Sequence, residues 1–73
     1  MIRRFNANNY MKGQITWQMG EFARNGAITF EKGAKRNTCI VTVDESMIDK
    51  RELKYLYSAL LPENREIKLG GQQ

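Results

Sequence analysis

Apolar and polar side chains alternate on both sides of the dipeptide Asn25-Gly26. Residues 14–24 carry apolar side chains at every second position from Ile15 to Met19, and residues 27–32 alternate in the same way. A period of two is typical of a half-buried β-strand. Because Asn-Gly readily adopts the positive φ angles of a type I′ turn, the pattern predicts a β-hairpin.

A third alternating run, residues 38–43, follows the polar loop 33–36. A hairpin across that loop pairs Phe30 with Cys39 and keeps the apolar side chains of all three runs on one face. That face consists of Ile15, Trp17, Met19, Ala23, Ile28, Phe30, Cys39, Val41 and Val43. Agreement between the two turns favours a three-stranded antiparallel meander over about residues 14–24, 27–32 and 38–43.

A C-terminal helix is predicted over about residues 50–61. Asp49 fits the N-cap position because Glu52, three residues later, completes a capping box, and Pro62 removes an amide donor that a longer helix would need. The apolar residues fall on one stripe, which consists of Leu53, Leu56, Tyr57, Leu60 and Leu61. The stripe needs an apolar partner, so we expect it to cover the meander and give an α+β fold.

The other segments complete a single domain over residues 1–73. We expect residues 1–12 to form an N-terminal arm or edge strand, residues 66–69 to form a short extra strand, and residues 70–73 to be a disordered tail.

The main alternative is a helix over residues 9–24 followed by a two-stranded hairpin. Met11, Ile15, Met19 and Phe22 fit helical spacing as well as they fit strand spacing. Gly13 and Gly20 weigh against this helix, because each costs about 1 kcal/mol relative to alanine.

Composition narrows the class of protein. The chain has 73 residues, of which 41% are hydrophobic and 27% charged, so it can form one small core. It has one cysteine and no histidine, which excludes an internal disulfide, the usual Cys/His zinc sites and histidine-based catalysis. No apolar run approaches the roughly 18 residues of a membrane span, and the first residues do not resemble a signal peptide. We therefore expect a cytoplasmic protein that does not bind membranes.

Few residues are candidates for chemistry. Asp44, Glu45 and Asp49 form a carboxylate cluster, but helix capping explains Asp49 more economically than a metal does. Cys39 falls on the inward face of a predicted strand, where a thiol behaves as a small hydrophobe. We therefore expect no enzyme activity and no catalytic residue, metal, cofactor or small-molecule substrate.

Positive charge is concentrated in the first part of the chain. Residues 1–43 hold seven basic and two acidic side chains, residues 44–73 hold five basic and six acidic ones, and the net charge is +4. An excess of this kind attracts polyanions, of which nucleic acid is the commonest, although it is also typical of a domain kept soluble by charge. The loop 32–37 concentrates Lys32, Lys35 and Arg36, which can track a phosphate backbone or simply be solvated.

The predicted meander leaves its second face uncovered. Hydroxyl, amide and guanidinium groups on that face can bind phosphates and base edges, although threonine is also a good solvent-facing strand residue. The predicted N-terminal arm could reach into a groove of the nucleic acid. The candidate nucleic-acid-binding residues are Arg3, Arg4, Thr16, Gln18, Phe22, Arg24, Thr29, Lys32, Lys35, Arg36 and Thr42.

In layout, the stretch from Glu21 to Leu61, with three strands, a basic loop and a helix, resembles the small DNA-binding modules at the N-termini of tyrosine integrases and in a class of plant transcription factors. The resemblance implies that the uncovered sheet face enters the major groove. The sequence thus predicts a small accessory protein that binds nucleic acid, with duplex DNA favoured.

The alternative function is a protein-binding modulator or inhibitor of a larger enzyme or regulator, with Phe22, Ile40 and Tyr55 as anchors. Either function suits a small basic domain encoded by a phage or another mobile element. Pairing of an exposed strand edge would in addition produce a homodimer.

Overall fold

The structure is a computed structural model that describes residues 1–67, and its centre is a four-stranded antiparallel sheet. The strands are β1 (Ile2–Asn8), β2 (Ile28–Lys32), β3 (Thr38–Asp44) and β4 (Glu66–Ile67), in the order β2-β3-β1-β4. The helices are α1 (Asn9–Gln18), α2 (Gly20–Arg24) and α3 (Lys50–Tyr55), which continues as a π-helical segment over Leu56–Leu60. Short 3₁₀ turns lie at Glu45–Met47 and Glu63–Arg65. The predicted α+β class is confirmed. With α1 and α2 taken together, the main elements follow the order β-α-β-β-α-β along the chain.

The core lies between the helices and one face of the sheet. Phe5 of β1 is opposite Val41 of β3, and both are fully buried. The buried core consists of Phe5, Ala7, Ile15, Met19, Ala27, Ile28, Cys39, Val41, Val43, Ile48, Leu56, Leu60 and Leu61. Because the buried residues of the helices all belong to this cluster, the helices cover a single sheet face, and the other face is left to solvent in the described part of the chain.

The first strand of the predicted meander is wrong, because residues 14–24 are helical. Asn8 caps α1 by accepting a hydrogen bond from the amide of Met11 at 2.8 Å. Ile15 and Met19, four residues apart, are buried on the sheet, and this packing outweighs the low helix propensity of the glycines. The alternative, a helix over residues 9–24, describes the structure better, with a break at Met19 where α1 ends and α2 begins.

The N-terminal arm or edge strand expected over residues 1–12 is in part a strand, but this strand lies inside the sheet and not at its edge. Residues 2–8 form β1, which pairs with β3 on one side and with β4 on the other. The physical reason is the alternation of Phe5 and Ala7, which are buried, with Arg4 and Asn6 on the opposite face.

The second hairpin and the C-terminal helix are confirmed. β2 and β3 pair as expected, but the register differs by two residues, since Phe30 is opposite Val41 and not opposite Cys39. A shift of two residues leaves every side chain on its predicted face. Asp49 caps α3 by accepting a hydrogen bond from the amide of Glu52 at 2.9 Å. The predicted apolar stripe of this helix is buried or half-buried throughout.

The extra strand is confirmed at residues 66–67, where it pairs with β1. Residues 68–69 of the predicted strand and the predicted tail at 70–73 lie outside the described residues. The resemblance in layout to the integrase and plant modules does not extend to the topology, because the segment taken as the first strand is helical and β1 takes a place in the sheet.

Candidate nucleic-acid interface

A cleft of about 370 Å³ lies between the start of α1 and the loop that joins β2 to β3. We call it the basic cleft, because its cationic lining residues are Lys12, Lys32, Lys35 and Arg36. The carboxylate that also lines it, Glu31, accepts a hydrogen bond from Arg4 at 3.3 Å. The cations come from two elements that are distant in sequence, and the fold brings them to one concave surface.

The loop of the basic cleft is held in place by its own hydrogen bonds. The amide of Gly33 donates to the carbonyl of Thr38 at 3.0 Å, and the amide of Lys35 donates to the Thr38 hydroxyl at 3.1 Å. A side chain at Gly33 would collide with Thr38 and would lie 2.9 Å from the backbone nitrogen of Cys39. Asn37 has a φ of 62°, a conformation that asparagine tolerates better than most residues. The backbone between the cations is thus ordered before any ligand arrives.

The N-terminal end of α1 is tied to the same loop. The amide of Asn9 donates to the carbonyl of Asn37 at 3.1 Å, and the two side chains are joined by a 3.4 Å hydrogen bond. Lys12 lies over the ring of Phe30, with its ammonium nitrogen 5.5 Å from the ring centroid. These contacts fix the helical wall of the cleft against the loop wall.

Two aromatic side chains stand on the solvent side of α1. Tyr10 is 74% exposed and Trp17 is 83% exposed. They are seven residues apart, which places them within about 20° of each other around the helix and ~10 Å apart along it. We call Tyr10, Gly13 and Trp17 the aromatic ridge. A second groove of about 540 Å³ runs beside it, lined by Asn9, Lys12, Gly13, Thr16 and Trp17.

The ridge and the basic cleft form one continuous surface. Asn9 and Lys12 line both grooves, so a ligand leaving the cleft enters the groove beside Gly13 and Trp17. The surface combines flat apolar rings with positive charge.

The predicted site residues do not form one surface. Lys32, Lys35 and Arg36 come together at the basic cleft, whereas Arg4, Thr29 and Thr42 lie on the uncovered face of the sheet. Thr16, Gln18, Phe22 and Arg24 belong to α1 and α2, in the layer that covers the opposite face. The single contact surface expected from the meander is therefore wrong. The reason is that residues 14–24 follow a helical period and not a period of two.

Individual side chains differ as well. Phe22 is half-buried against the core, and Thr16, Gln18 and Arg24 are exposed. Arg3 belongs to the core face of β1, where its guanidinium donates to Glu66 at 2.7 Å and lies 4.6 Å from the centroid of the Tyr57 ring. It is thus not part of a mobile arm.

Tyr10, Lys12 and Trp17 are not among the predicted site residues, and Trp17, which is expected in the core, is exposed. The information was present in the spacing. Tyr10 and Trp17 lie seven residues apart, on the side of the helix opposite Ile15, with Gly13 between them.

Cys39 lines the basic cleft but is buried. Burial raises the pKa of its thiol, and the nearby charge of Lys12 lowers it by less. Because the folded-state pKa lies above the ordinary value for a thiol, Cys39 is a neutral thiol at pH 7 and a weak nucleophile.

Within residues 1–67, there is no group of three or more Cys, Asp or Glu side chains that could hold a metal ion. Over the same range, no helix has both the length and the apolar character that a membrane span requires.

Comparison with protein-family models, curated proteins and solved structures found no match to this chain.

Proposed function

We propose that the protein is a small non-enzymatic accessory protein that binds nucleic acid, with DNA as the favoured form. The observation that carries this proposal is the convergence of Lys12 with the loop cations around one ordered cleft. Phosphates bind well to such clusters because each cation that replaces a condensed counterion releases it to solution. The ordered loop supports the proposal, since the backbone that carries three of the cations needs little further ordering on binding.

The uncovered sheet face is less suited to nucleic-acid binding than the basic cleft is. Single-stranded RNA binds to four-stranded sheets mainly through aromatic side chains on the two central strands. The equivalent positions on β1 and β3 carry Arg4, Asn6, Ile40 and Thr42, none of which is aromatic. Arg4 is in addition paired with Glu31. We therefore assign binding to the basic cleft, with the sheet face as a secondary contact at most.

The salt dependence of binding gives the first test. If each of the four cations neutralises one phosphate of a duplex, log K falls against log salt with a slope of about −3.6. Affinity for a random duplex, followed by fluorescence anisotropy of a labelled oligonucleotide, should then drop ~150-fold between 50 and 200 mM salt. A flat dependence would contradict the proposal.

Charge removal localises the interface. Lys35→Ala with Arg36→Ala should weaken binding about tenfold or more at low salt and reduce the magnitude of the salt slope by about 2. The matched control is Lys50→Ala with Arg51→Ala, which removes the same charge from exposed positions at the start of α3. Equal losses in the two double variants would show that net charge alone governs binding, and would place the interface elsewhere.

A protein-binding modulator is the second candidate, and the 83% exposure of Trp17 favours it. Tryptophan is the residue type most enriched at the energetic centres of protein interfaces. Phe22, expected as an anchor of this kind, is half-buried, so Trp17 and Tyr10 take its place. Weak, salt-independent retention on nucleic acid together with a Trp17-dependent complex with a purified protein partner would support this candidate.

A further inference from the structure

We infer that the aromatic ridge and the basic cleft together bind single-stranded DNA, with the phosphates in the cleft and unpaired bases stacked on Trp17 and Tyr10. The inference rests on the proposed function and names its ligand. It follows from three features of α1: the exposure of its aromatic rings, the glycine between them, and the groove beside Trp17 that shares Asn9 and Lys12 with the basic cleft.

The exposed rings are not required by the fold. Trp17 and Tyr10 are the most exposed aromatic side chains in the described part of the chain, and neither belongs to the buried cluster or packs against it. Other aromatic side chains of the chain, such as Phe5 and Tyr57, contribute to the core or pack on it. Two flat rings with open faces on one side of one helix are suited to stacking with bases, because every base has a π-face.

Gly13 lies between the two rings and is likewise not required by the packing of the chain. A side-chain carbon at this position would have nothing within 4 Å. Glycine inside a helix is unfavourable relative to alanine, so the fold alone would favour a larger residue here. Because Gly13 has no side chain, the space between the rings can instead hold a sugar and a base beside the helix.

The two grooves supply a path for a strand. Asn9 and Lys12 line both the basic cleft and the groove beside Trp17, so a backbone bound at Lys35 and Arg36 can continue past Lys12. The rise of ~10 Å along the helix axis between residues 10 and 17 corresponds to about three nucleotide steps of a stacked strand. The charge complementarity along this path matches a polyanion and not an apolar protein segment.

The same geometry selects unpaired over paired bases, because the faces of bases in a duplex are already covered by their neighbours. A duplex can offer the basic cleft its phosphates, but it cannot offer Trp17 a base face without unstacking. Gly13 presents no side chain that could hydrogen-bond a ribose 2′-hydroxyl, so this position does not select RNA over DNA.

The chain contains one tryptophan, so its intrinsic fluorescence above the tyrosine emission reports on Trp17 alone. The probes are a 12-nucleotide oligo(dT), the matching 12-base-pair dA·dT duplex and a 12-nucleotide oligo(U), with binding measured by anisotropy of a terminal dye and stacking by tryptophan quenching. We expect oligo(dT) to bind at least tenfold more tightly than the duplex and to quench Trp17, while the duplex quenches little.

Variants separate stacking from charge. Trp17→Ala should weaken oligo(dT) binding by roughly 5- to 150-fold and leave duplex binding unchanged, whereas Trp17→Phe should retain most of the affinity. The matched control, Tyr55→Ala on the exposed side of α3, should change neither. Gly13→Leu is a second variant that raises helix propensity while filling the groove, and it should weaken oligo(dT) binding in a protein at least as stable as the wild type.

Failure of the inference and failure of the proposed function give different results. Equal affinity for duplex and oligo(dT) without quenching overturns the inference but leaves nucleic-acid binding intact. Absence of binding to all three probes at 50 mM salt overturns both. Binding of oligo(U) tenfold tighter than oligo(dT) overturns the assignment to DNA, and full oligo(dT) affinity in Trp17→Ala overturns the role of the ridge.

Discussion

Arg3 shows how a single residue can be misjudged from its charge. Its guanidinium donates to Glu66 at 2.7 Å and to Glu45 at 3.4 Å, and it lies over the rings of Phe5 and Tyr57. The Tyr57 hydroxyl donates to the same Glu45 carboxylate at 2.7 Å. Arginine can fill this position because its flat guanidinium stacks on rings while donating in its own plane. This cation stabilises the edge of the core and adds little to the field of the basic cleft.

Tyr57 makes the stability of this cluster depend on pH. Burial, and next the hydrogen bond to Glu45, raise the pKa of Tyr57 above the ordinary value of about 10. A raised pKa in the folded state means that the stabilisation is complete below about pH 10 and is lost as pH rises from there towards the folded-state pKa.

We therefore expect Tyr57→Phe to lower the free energy of unfolding by about 1 kcal/mol at pH 7, and the gap to the wild type to narrow above pH 10. Urea denaturation at pH 7 and pH 11 measures both effects. Tyr55→Phe on the exposed side of α3 is the control, and its free energy of unfolding should stay within about 0.5 kcal/mol of the wild type. A gap for Tyr57→Phe that widens with pH would contradict the arrangement.

At the scale of elements, two glycines have opposite roles. Gly33 lies at the end of β2, where an added side chain meets Thr38 and the backbone of Cys39, whereas Gly13 on α1 faces open space. The first glycine is needed because the loop folds tightly back on β3. The second weakens α1.

Substitution by alanine should therefore shift stability in opposite directions at these positions. Gly33→Ala should lower the free energy of unfolding by about 1–3 kcal/mol, because backbone atoms must move. Gly13→Ala should raise it by about 0.5–1 kcal/mol through helix propensity. Chemical denaturation of both variants under one set of conditions provides the measurement. A loss of stability in Gly13→Ala would mean that the position is crowded, contrary to the structure.

The segment 14–24 explains which elements sequence reasoning could predict. Asp49 and Pro62 mark the ends of the C-terminal helix through local chemistry, and the hairpin of β2 and β3 follows from strict alternation. Ile15 and Met19, in contrast, are four residues apart and fit both a period of two and a helix. Trp17 between them favours a strand, since a large apolar residue is normally buried and a strand would place all three side chains on the core face. Its exposure follows from the spacing only once the segment is taken as a helix, because Trp17 then lies on the side opposite Ile15.

At the scale of the whole molecule, β1 joins the parts of the fold. It lies between β3 and β4, and its Phe5 is fully buried. Deletion of residues 1–8 should therefore abolish cooperative unfolding in urea, followed by circular dichroism. The control is Asn6→Ala in the same strand, which alters an exposed position and should shift the free energy of unfolding by less than about 0.5 kcal/mol. A cooperative transition in the deletion variant would show that β1 is dispensable.

The candidate site could be predicted only in part, because its geometry depends on the order of the strands in the whole sheet. Lys35 and Arg36 are adjacent in sequence, so the positive charge of their loop can be predicted without knowledge of the fold. Lys12 reaches that loop only because β1 is an inner strand that delivers α1 beside the hairpin, where Asn9 hydrogen-bonds Asn37. Contacts between elements so far apart depend on the sheet order, which no local pattern encodes.

The pairing of Phe5 with Glu66 also has a consequence for biosynthesis. At about 5–20 residues per second, a ribosome makes β1 roughly 3–12 s before the segment that closes its second edge. Until that segment is made, the second edge of β1 is unpaired and can be bound by chaperones or by a neighbouring polypeptide. Closure of this edge thus waits for the synthesis of residues 66–67, and slow codons after β3 would prolong the vulnerable period.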